Sequence, residues 1–152
     1  MRVSARADYA IRALLELAAA GPEAPVRADA IAQAQAIPPK YLENLLADLR
    51  RARLITSQRG LGGGYRLVRP AASITLADVI RAIDGPLTGV RDDAPEDVDY
   101  PGAAASLREV WIALRASMRG VLESTSLADV ATGHLPATVR KLLLDPEAWT
   151  RR

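Results

Sequence analysis

Two short stretches of the sequence carry polar side chains in an arrangement that suits hydrogen bonding to an external partner. Lys40, Glu43 and Asn44 are three and four positions apart, which places them on one face of a helix. They offer an ammonium donor, a carboxylate acceptor and an amide that both donates and accepts. Arg59 stands in the second stretch, where glycine follows it and recurs at positions 62–64. Its guanidinium therefore projects from a backbone with little side-chain bulk.

Composition excludes several other kinds of chemistry. The 152 residues include no cysteine, which rules out disulfides, thiolate metal sites and thiol nucleophiles. A Ser-His-Asp arrangement would have to use His134, the single histidine, which we predict to be a surface or capping residue. The acidic run from Asp92 to Asp99 lacks the spacing and central glycine of a calcium loop. We therefore expect no enzyme activity, no cofactor and no metal site.

Charge is divided unevenly along the chain. Residues 1–70 carry eleven lysines and arginines against six acids, a balance of +5. Residues 71–100 have a balance of −5 and residues 101–152 a balance of +2, which leaves a net charge of +2. A basic N-terminal half followed by an acidic connector favours a front end that binds a polyanion. Since no apolar stretch approaches the ~20 residues of a membrane span and no signal peptide is visible, we expect a cytoplasmic protein.

Three predicted helices precede the glycine-rich stretch. Ser4 is a candidate N-cap for the first, whose apolar periodicity runs to Gly21-Pro22. A second, short helix is predicted from about Arg27 to Ala34. The third begins at Pro38-Pro39, because proline is well tolerated at a first helical position. Its apolar face consists of Leu42, Leu45, Leu46 and Leu49.

After the third helix the hydrophobic period changes to that of β-strands. Residues 54–57 and 65–68 are rich in β-forming side chains and are predicted to pair as a hairpin with the glycines at its tip. A glycine-rich loop of a nucleotide-binding enzyme would instead join a strand to a helix. Thr75 and Asp78 have the spacing of a capping box and open a fourth helix, which runs through Asp84.

The C-terminal half contains one long amphipathic helix. Residues 86–104, rich in proline, glycine and acids, are predicted to form a solvated loop before it. Apolar residues then recur at spacings of three and four, at Leu107, Val110, Trp111, Leu114, Met118, Val121 and Leu122. Too little chain remains to cover this stripe, so we predict that it is a dimer interface with a second copy. Ser126 repeats the cap pattern before a short last helix that ends near Gly133.

Three helices followed by a glycine-tipped hairpin is the order of a winged helix-turn-helix. We predict a mainly α-helical fold with a small β-hairpin wing, in which residues 1–85 form a DNA-binding domain. Residues 86–104 are then an acidic linker and residues 105–132 hold the dimerisation helix and the short final helix. Residues 133–152 form a tail with enough apolar content to pack somewhere.

This fold gives the polar residues a role. A third helix in the major groove brings lysine to phosphate or guanine, asparagine to adenine and glutamate to cytosine. An arginine on a glycine-rich wing suits the minor groove, and the loop amides can donate to phosphate. The predicted DNA contacts are Pro39, Lys40, Tyr41, Glu43, Asn44, Arg50, Arg59, Gly60, Leu61 and Gly62. Tyr41 could also pack against the second helix.

Several motifs resemble the BadM/Rrf-two family of bacterial transcriptional regulators. They are YLENLL at 41–46, SQRGLGGGYRL at 57–67 and ITLADVI at 74–80, with DYAIRALL at 8–15 and LREVW at 107–111. The wing motif is the most specific, and the match spans roughly residues 1–130. The resemblance implies a homodimer that reads a palindromic operator, with the third helix in the major groove and the wing in the minor groove.

The sequence also departs from that family. Its iron–sulfur members take three cysteines from the segment before the dimerisation helix, and here residues 96–105 contain none. Asp8 matches an acid that some members use as a cluster ligand, and without thiolates we expect a surface or interface carboxylate. Ala36 stands at the helix-turn-helix bend where the family often has glycine.

The sequence thus predicts a DNA-binding transcriptional regulator, a repressor, that acts as a homodimer without an iron–sulfur cluster. The alternative is a protein-interaction module whose acidic connector and tail dock onto a partner enzyme, with DNA binding secondary. The controlling signal stays open between a small molecule, a partner protein and no effector.

Overall fold

A computed structural model describes residues 3–151 as a mainly helical chain with one two-stranded hairpin. The elements are α1 (Ala5–Ala20), α2 (Ala28–Gln35), α3 (Pro39–Arg51), β1 (Ile55–Gln58), β2 (Gly64–Leu67), α4 (Leu76–Asp84), α5 (Leu107–Leu122), α6 (Leu127–Thr132) and α7 (Ala137–Leu143). Single 3₁₀ turns occur at Ala71–Ser73, Pro95–Asp97, Gly102–Ala104 and Pro146–Trp149. The predicted fold class is confirmed.

Local side-chain chemistry sets where several helices begin. The hydroxyl of Ser4 accepts a hydrogen bond from the Ala7 amide at 2.9 Å, which caps α1 as predicted. Thr75 and Asp78 form a reciprocal capping box at the start of α4. Ser126 and Asp129 form a second box at the start of α6. These caps satisfy backbone amides that have no partner inside the helix.

The hydrophobic core lies around α1. Leu14 and Leu17 of this helix are buried with Leu45 and Leu49 of α3 and with Val79 of α4. Alanines on the same face of α1 are also fully buried, which allows the neighbouring helices to approach closely. A core of aliphatic side chains therefore fixes α3 against α1 and determines which face of α3 is left at the surface.

Helix α6 returns to this core although it follows α5 in the chain. Leu127 is fully buried among the core residues. The Leu127 amide donates to the Ile74 carbonyl and the Leu76 amide to the Thr125 carbonyl, both at 2.9 Å. The sequence predicts that the short final helix belongs with the dimerisation helix, whereas the structure packs it on α1. Local periodicity alone does not specify this long-range contact.

Helix α5 and the segment before it form a separate region. No residue of α5 is buried in the single chain. Residues 86–104 are not a merely solvated loop, because Pro95 and Val98 are buried. The Trp111 indole N–H donates to the Tyr100 hydroxyl at 3.1 Å, which holds the loop against α5. The expectation of a solvated connector is corrected: its apolar residues pack while its acids stay at the surface.

The C-terminal tail forms α7 and a final 3₁₀ turn, which the sequence analysis did not predict. Ser124 and Thr138 share a hydroxyl hydrogen bond at 3.0 Å, which places α7 beside the end of α5. Leu142, Leu144 and Trp149 are nevertheless exposed, to 56%, 81% and 71%. The apolar content of the tail is therefore left uncovered within one chain. In the described part of the chain no helix is long and apolar enough to cross a membrane.

Candidate DNA-binding surface

Helix α3 presents a polar face because its leucines are used by the core. Leu42, Leu45, Leu46 and Leu49 are buried on one side. All six of the predicted contact residues on this helix are exposed on the other side, namely Pro39, Lys40, Tyr41, Glu43, Asn44 and Arg50. Pro39 occupies the first helical turn, where its missing N–H leaves no hydrogen bond unmade. The N-terminal end of α3 is thus an accessible polar surface on a rigid support.

The bend between α2 and α3 depends on an unusual backbone conformation. Ala36 is left-handed, with φ 50° and ψ 43°, and caps the end of α2. The next residue, Ile37, is buried, and its amide donates to the Ala32 carbonyl at 2.9 Å. A left-handed alanine costs about 1 kcal/mol relative to glycine, because its Cβ crowds the following carbonyl. The departure noted at Ala36 is thus a strained position that the core enforces.

The wing is an antiparallel hairpin with a tightly packed base. Ile55 pairs with Leu67 and Gln58 with Gly64. Val26 from the α1–α2 loop adds a bridge to Tyr65, with two backbone hydrogen bonds of 2.8 Å. A Cβ on Gly64 would lie 2.6 Å from the Val26 carbonyl oxygen, so no side chain fits there. This close approach orients the hairpin relative to α2.

The side chains of Arg59 and Leu61 are exposed at the wing tip. Gly60 has φ +100°, and its carbonyl accepts from the Gly63 amide at 3.0 Å, which closes the turn. Leu61 at the tip is completely exposed, at 107%. Within residues 3–151 Arg59 forms no ion pair. An arginine without a carboxylate partner on an exposed loop keeps its charge for an external anion.

A groove of about 690 Å³ separates the wing from the helix-turn-helix. Gly60 and Gln58 line it on the wing side, and Pro39 and Glu43 on the α3 side. The structure therefore brings three predicted contacts, Pro39, Glu43 and Gly60, to one concave surface, and the other seven are not among the residues that line it. Arg27 also lines the groove from the start of α2.

Arg27, Gln33 and Gln58 are groove residues that the sequence analysis did not include. The available signal was a basic residue directly before the first helix of a helix-turn-helix, the helix that crosses the DNA backbone in such folds. Arg27 is this residue, but no motif in the sequence sets it apart from other surface arginines.

Ion pairs moderate the charge of this surface. Lys40 Nζ lies 3.2 Å from Glu43 Oε2, so these two predicted contacts neutralise each other on α3. Arg27 Nε lies 3.2 Å from Asp29 Oδ1, and this hydrogen bond lowers the pKa of Asp29 below its ordinary value. The pairs leave Arg50 and Arg59 as the predicted contacts whose charges have no ion-pair partner within the described residues.

Tyr41 and Arg50 also make contacts inside the protein. The ring of Tyr41 packs edge-on against Tyr9 of α1, with centroids 5.5 Å apart and planes at 75°. The sequence left packing against the second helix as an alternative role for Tyr41, and the aromatic partner of Tyr41 lies on the first helix. Arg50 donates to the Ser57 hydroxyl at 3.5 Å and so links the end of α3 to the wing.

The predicted dimer residues on α5 divide into two groups. Val110 and Leu114 are exposed, to 54% and 37%. The others are half-buried, namely Leu107, Trp111, Met118, Val121 and Leu122. The exposed pair forms an apolar surface that the chain does not cover itself.

The family model of the iron-dependent transcriptional regulators, Rrf2, matches residues 3–133. The chain belongs to the Rrf2 family. It is 52% identical over 148 residues to the "Putative HTH-type transcriptional regulator Rv1287" of Mycobacterium tuberculosis, a match that covers 97% of this chain and 92% of the relative. It is 36% identical over 132 residues to the HTH-type transcriptional regulator CymR of Bacillus subtilis, covering 87% and 91% of the two chains. Rrf2 proteins related to this chain are thus transcriptional regulators.

Solved structures agree with this assignment. The structure of CymR, described as the global cysteine regulator of B. subtilis, matches with a TM-score of 0.75 and 35% identity over 87% of this chain and 97% of that one. The IscR structure from T. potens matches with a TM-score of 0.68 and 30% identity, covering 100% of this chain and 93% of the other. The winged-helix fold of the Rrf2 family is therefore shared.

The donor set of this Rrf2 member does not fit an iron–sulfur cluster. Cluster iron is held by cysteine thiolates, and the chain contains no cysteine. Among the described residues no three histidine, aspartate or glutamate side chains come together in a way that could hold a metal ion. The connector before α5 holds Tyr100 in a hydrogen bond with Trp111 instead. This chain is a cysteine-free member of an iron-dependent family.

Proposed function

We propose that the protein is a transcriptional repressor that binds a palindromic operator as a homodimer. The observation that carries the proposal is the groove between the wing and the start of α3, which collects Pro39, Glu43 and Gly60 on one surface. A winged helix-turn-helix uses these two elements for the major and the minor groove.

Each part of the surface has a role in this proposal. Asn44 is exposed and free to pair with adenine, while Lys40 can leave Glu43 for a phosphate or a guanine edge. Arg59 enters the minor groove, where its charge is attracted by the phosphates on both sides. Leu61, completely exposed beside it, packs against sugars of the same groove. We assign the other predicted contacts, including Arg50 and the wing glycines, to the DNA backbone.

Dimerisation through α5 supports binding to a palindrome. The exposed Val110 and Leu114 need a partner, and a second copy offers the same surface around a twofold axis. Two wings and two α3 helices then read two half-sites about one helical turn apart.

The test begins with genome-wide mapping of binding sites, which supplies the operator. Affinity for that operator is then measured for the wild type, for Arg59→Ala and for Arg140→Ala, a control on α7 outside the proposed surface. We expect Arg59→Ala to weaken binding at least tenfold, and the control to stay within about twofold of the wild type. Wild-type affinity should also fall steeply with salt, because phosphate contacts release counterions.

Full affinity in Arg59→Ala would remove the wing from the mechanism. A stoichiometric protein partner together with no shift on any mapped promoter fragment would favour the alternative, an interaction module in which DNA binding is secondary. Gene expression in a deletion strain separates repression, seen as a rise in transcripts near mapped sites, from activation.

A further inference from the structure

Two adjoining cavities lie between the connector 86–104 and α5, and neither shares a residue with the groove at the wing. The larger, about 380 Å³, is lined by apolar groups, with Leu87, Pro95, Trp111 and Leu114 among them. The smaller, about 160 Å³, is lined by Arg81, Arg115 and Arg119 and by Asp92 and Asp93. An apolar chamber thus opens beside a strongly polar one.

Thr88 lies in the wall that the two cavities share. Its hydroxyl is shielded from solvent and has no hydrogen-bond partner among residues 3–151. Buried hydroxyls are nearly always hydrogen-bonded, so an unpaired one at a cavity wall is available to a polar group that enters the cavity. The hydroxyl can both donate and accept, which suits a polar group at the boundary of the two cavities.

The arginines of the smaller cavity retain donors for such a group. Arg115 is mostly buried, with 17% of its side chain exposed, and pairs with Glu96 at 2.5 Å. Arg119 lies 3.8 Å from Glu123, which also pairs with Arg81. A guanidinium has five N–H donors, and one carboxylate uses at most two of them in the bidentate geometry.

We propose that these cavities bind a small organic carboxylate with an apolar body. The body packs against Trp111 in the larger cavity, and the carboxylate accepts hydrogen bonds from Thr88 and Arg115. Asp92 and Asp93 can pair with an ammonium group, so a simple carboxylate and an amino acid are the two sources of this chemistry. Size limits the body to one that fits about 380 Å³.

The cavity is connected to the α3 helix through the end of α4. Leu87 follows Asp84, the last residue of α4, by three positions. Arg6 donates to the Ile83 carbonyl at 3.2 Å and forms an ion pair with Asp48 on α3. A ligand that shifts the end of α4 therefore acts on α3 through one guanidinium. This regulatory consequence rests on the proposed function, whereas the binding itself does not.

Binding is tested with the full chain carrying Trp149→Phe, which leaves Trp111 as the single tryptophan. Its fluorescence is titrated with phenylacetate, with 4-methylpentanoate and with leucine, and each is compared with its uncharged amide or, for leucine, with leucinamide. We expect a saturable change with at least one carboxylate and at least tenfold weaker binding of the matching amide. Tighter binding of leucine than of 4-methylpentanoate identifies an amino acid as the class.

Variants locate the site. Thr88→Val keeps the shape of the side chain and should weaken binding at least tenfold, and Arg115→Gln should do the same. Thr138→Val removes a hydroxyl that is bonded to Ser124 outside both cavities and should leave binding unchanged. Thermal melts confirm that each variant is folded.

Several results would overturn the site. They are equal binding of acids and amides, unchanged binding in Thr88→Val, or a carboxylate-induced change in Trp111 fluorescence that disappears when the protein is dimeric, which would mean that the second copy covers the cavity. Operator binding is measured separately on the same preparation. If the protein binds a carboxylate but no operator, the proposed function is refuted and the carboxylate-binding site is still supported.

Discussion

The winged-helix part of the molecule and the region around α5 differ in how they bury apolar side chains. The first has a continuous core in which α1, α3, α4 and α6 contribute fully buried residues such as Leu14 and Leu127. The second has a sixteen-residue helix with no buried residue, and a tail whose Trp149 is 71% exposed. The winged-helix part buries its hydrophobic side chains within one chain, whereas the α5 region and the tail leave theirs exposed to a partner.

Because of this difference, we expect the winged-helix part to determine the stability of one chain and the α5 region to determine its association with a partner. Hydrophobic burial contributes roughly 25 cal/mol per Å² of apolar surface removed from water, so the winged-helix core holds most of what one chain can gain. The exposed apolar residues of α5 contribute only when a partner covers them. Substitutions in the two regions should therefore be detected by different measurements.

The largest effect is expected for Leu127→Ala, which tests whether α6 belongs to the core. Leu127 is fully buried, and removing its side chain leaves a cavity, so we expect a loss of 2–5 kcal/mol in the free energy of unfolding, roughly the range for buried leucines. Denaturant unfolding measures it. Leu144→Ala, at a residue 81% exposed, is the matched control and should change stability by less than about 0.5 kcal/mol. Equal effects of the two would place α6 outside the core.

Val110→Glu tests the other half of the comparison. The side chain is 54% exposed, so the single chain should lose less than about 0.5 kcal/mol, while a dimer through α5 would bury an unpaired carboxylate. We expect a monomer in sedimentation experiments and at least tenfold weaker operator binding, or about 1.4 kcal/mol. Val68→Glu, at 48% exposure beyond the wing, should remain dimeric. A Val110→Glu protein that sediments as a dimer would exclude this face as the interface.

The smallest effect concerns the bend between α2 and α3. Ala36→Gly removes the strain of a left-handed alanine but adds freedom to the unfolded chain, so we expect a net gain of up to about 1 kcal/mol in stability. Thermal unfolding measures it, with Ala34→Gly as the control inside α2, where glycine should destabilise by up to about 1 kcal/mol. A loss in both variants would show that the alanine methyl at 36 contributes packing that outweighs the strain.

The elements of the fold were largely predictable from the sequence because their signals are local. The spacing of apolar residues predicted a long helix whose stripe runs from Leu107 to Leu122, and α5 spans these residues in the structure. The capping residues Thr75 and Ser126 marked the starts of α4 and α6, since a hydroxyl followed three positions later by a carboxylate satisfies the first amides of a helix. The exposed residues of α3 followed directly from its buried leucines.

Long-range and backbone features could not be predicted in the same way. The return of α6 to α1 depends on Leu127 reaching a core formed by residues more than forty positions earlier. The packing of Val98 under an acidic connector was hidden because most of its neighbours are acids typical of solvated loops. Arg27 became a groove residue only when the wing was seen beside the start of α2. Each case depends on a contact in three dimensions that produces no periodic pattern in the sequence.

The backbone hydrogen bonds between residues 74–76 and 125–127 have a consequence for the DNA sites this protein can use. They attach the segment after α5 to the unit from which the connector before α5 leaves, so α5 is joined to the winged-helix core at both of its ends. In the proposed dimer the distance and angle between the two α3 helices are then fixed. Inserting two base pairs between the half-sites turns one of them by about 70° around the duplex axis. The two α3 helices of a rigid dimer cannot follow that rotation. The spacing between the half-sites, and not only their base sequence, therefore determines which operators the protein binds.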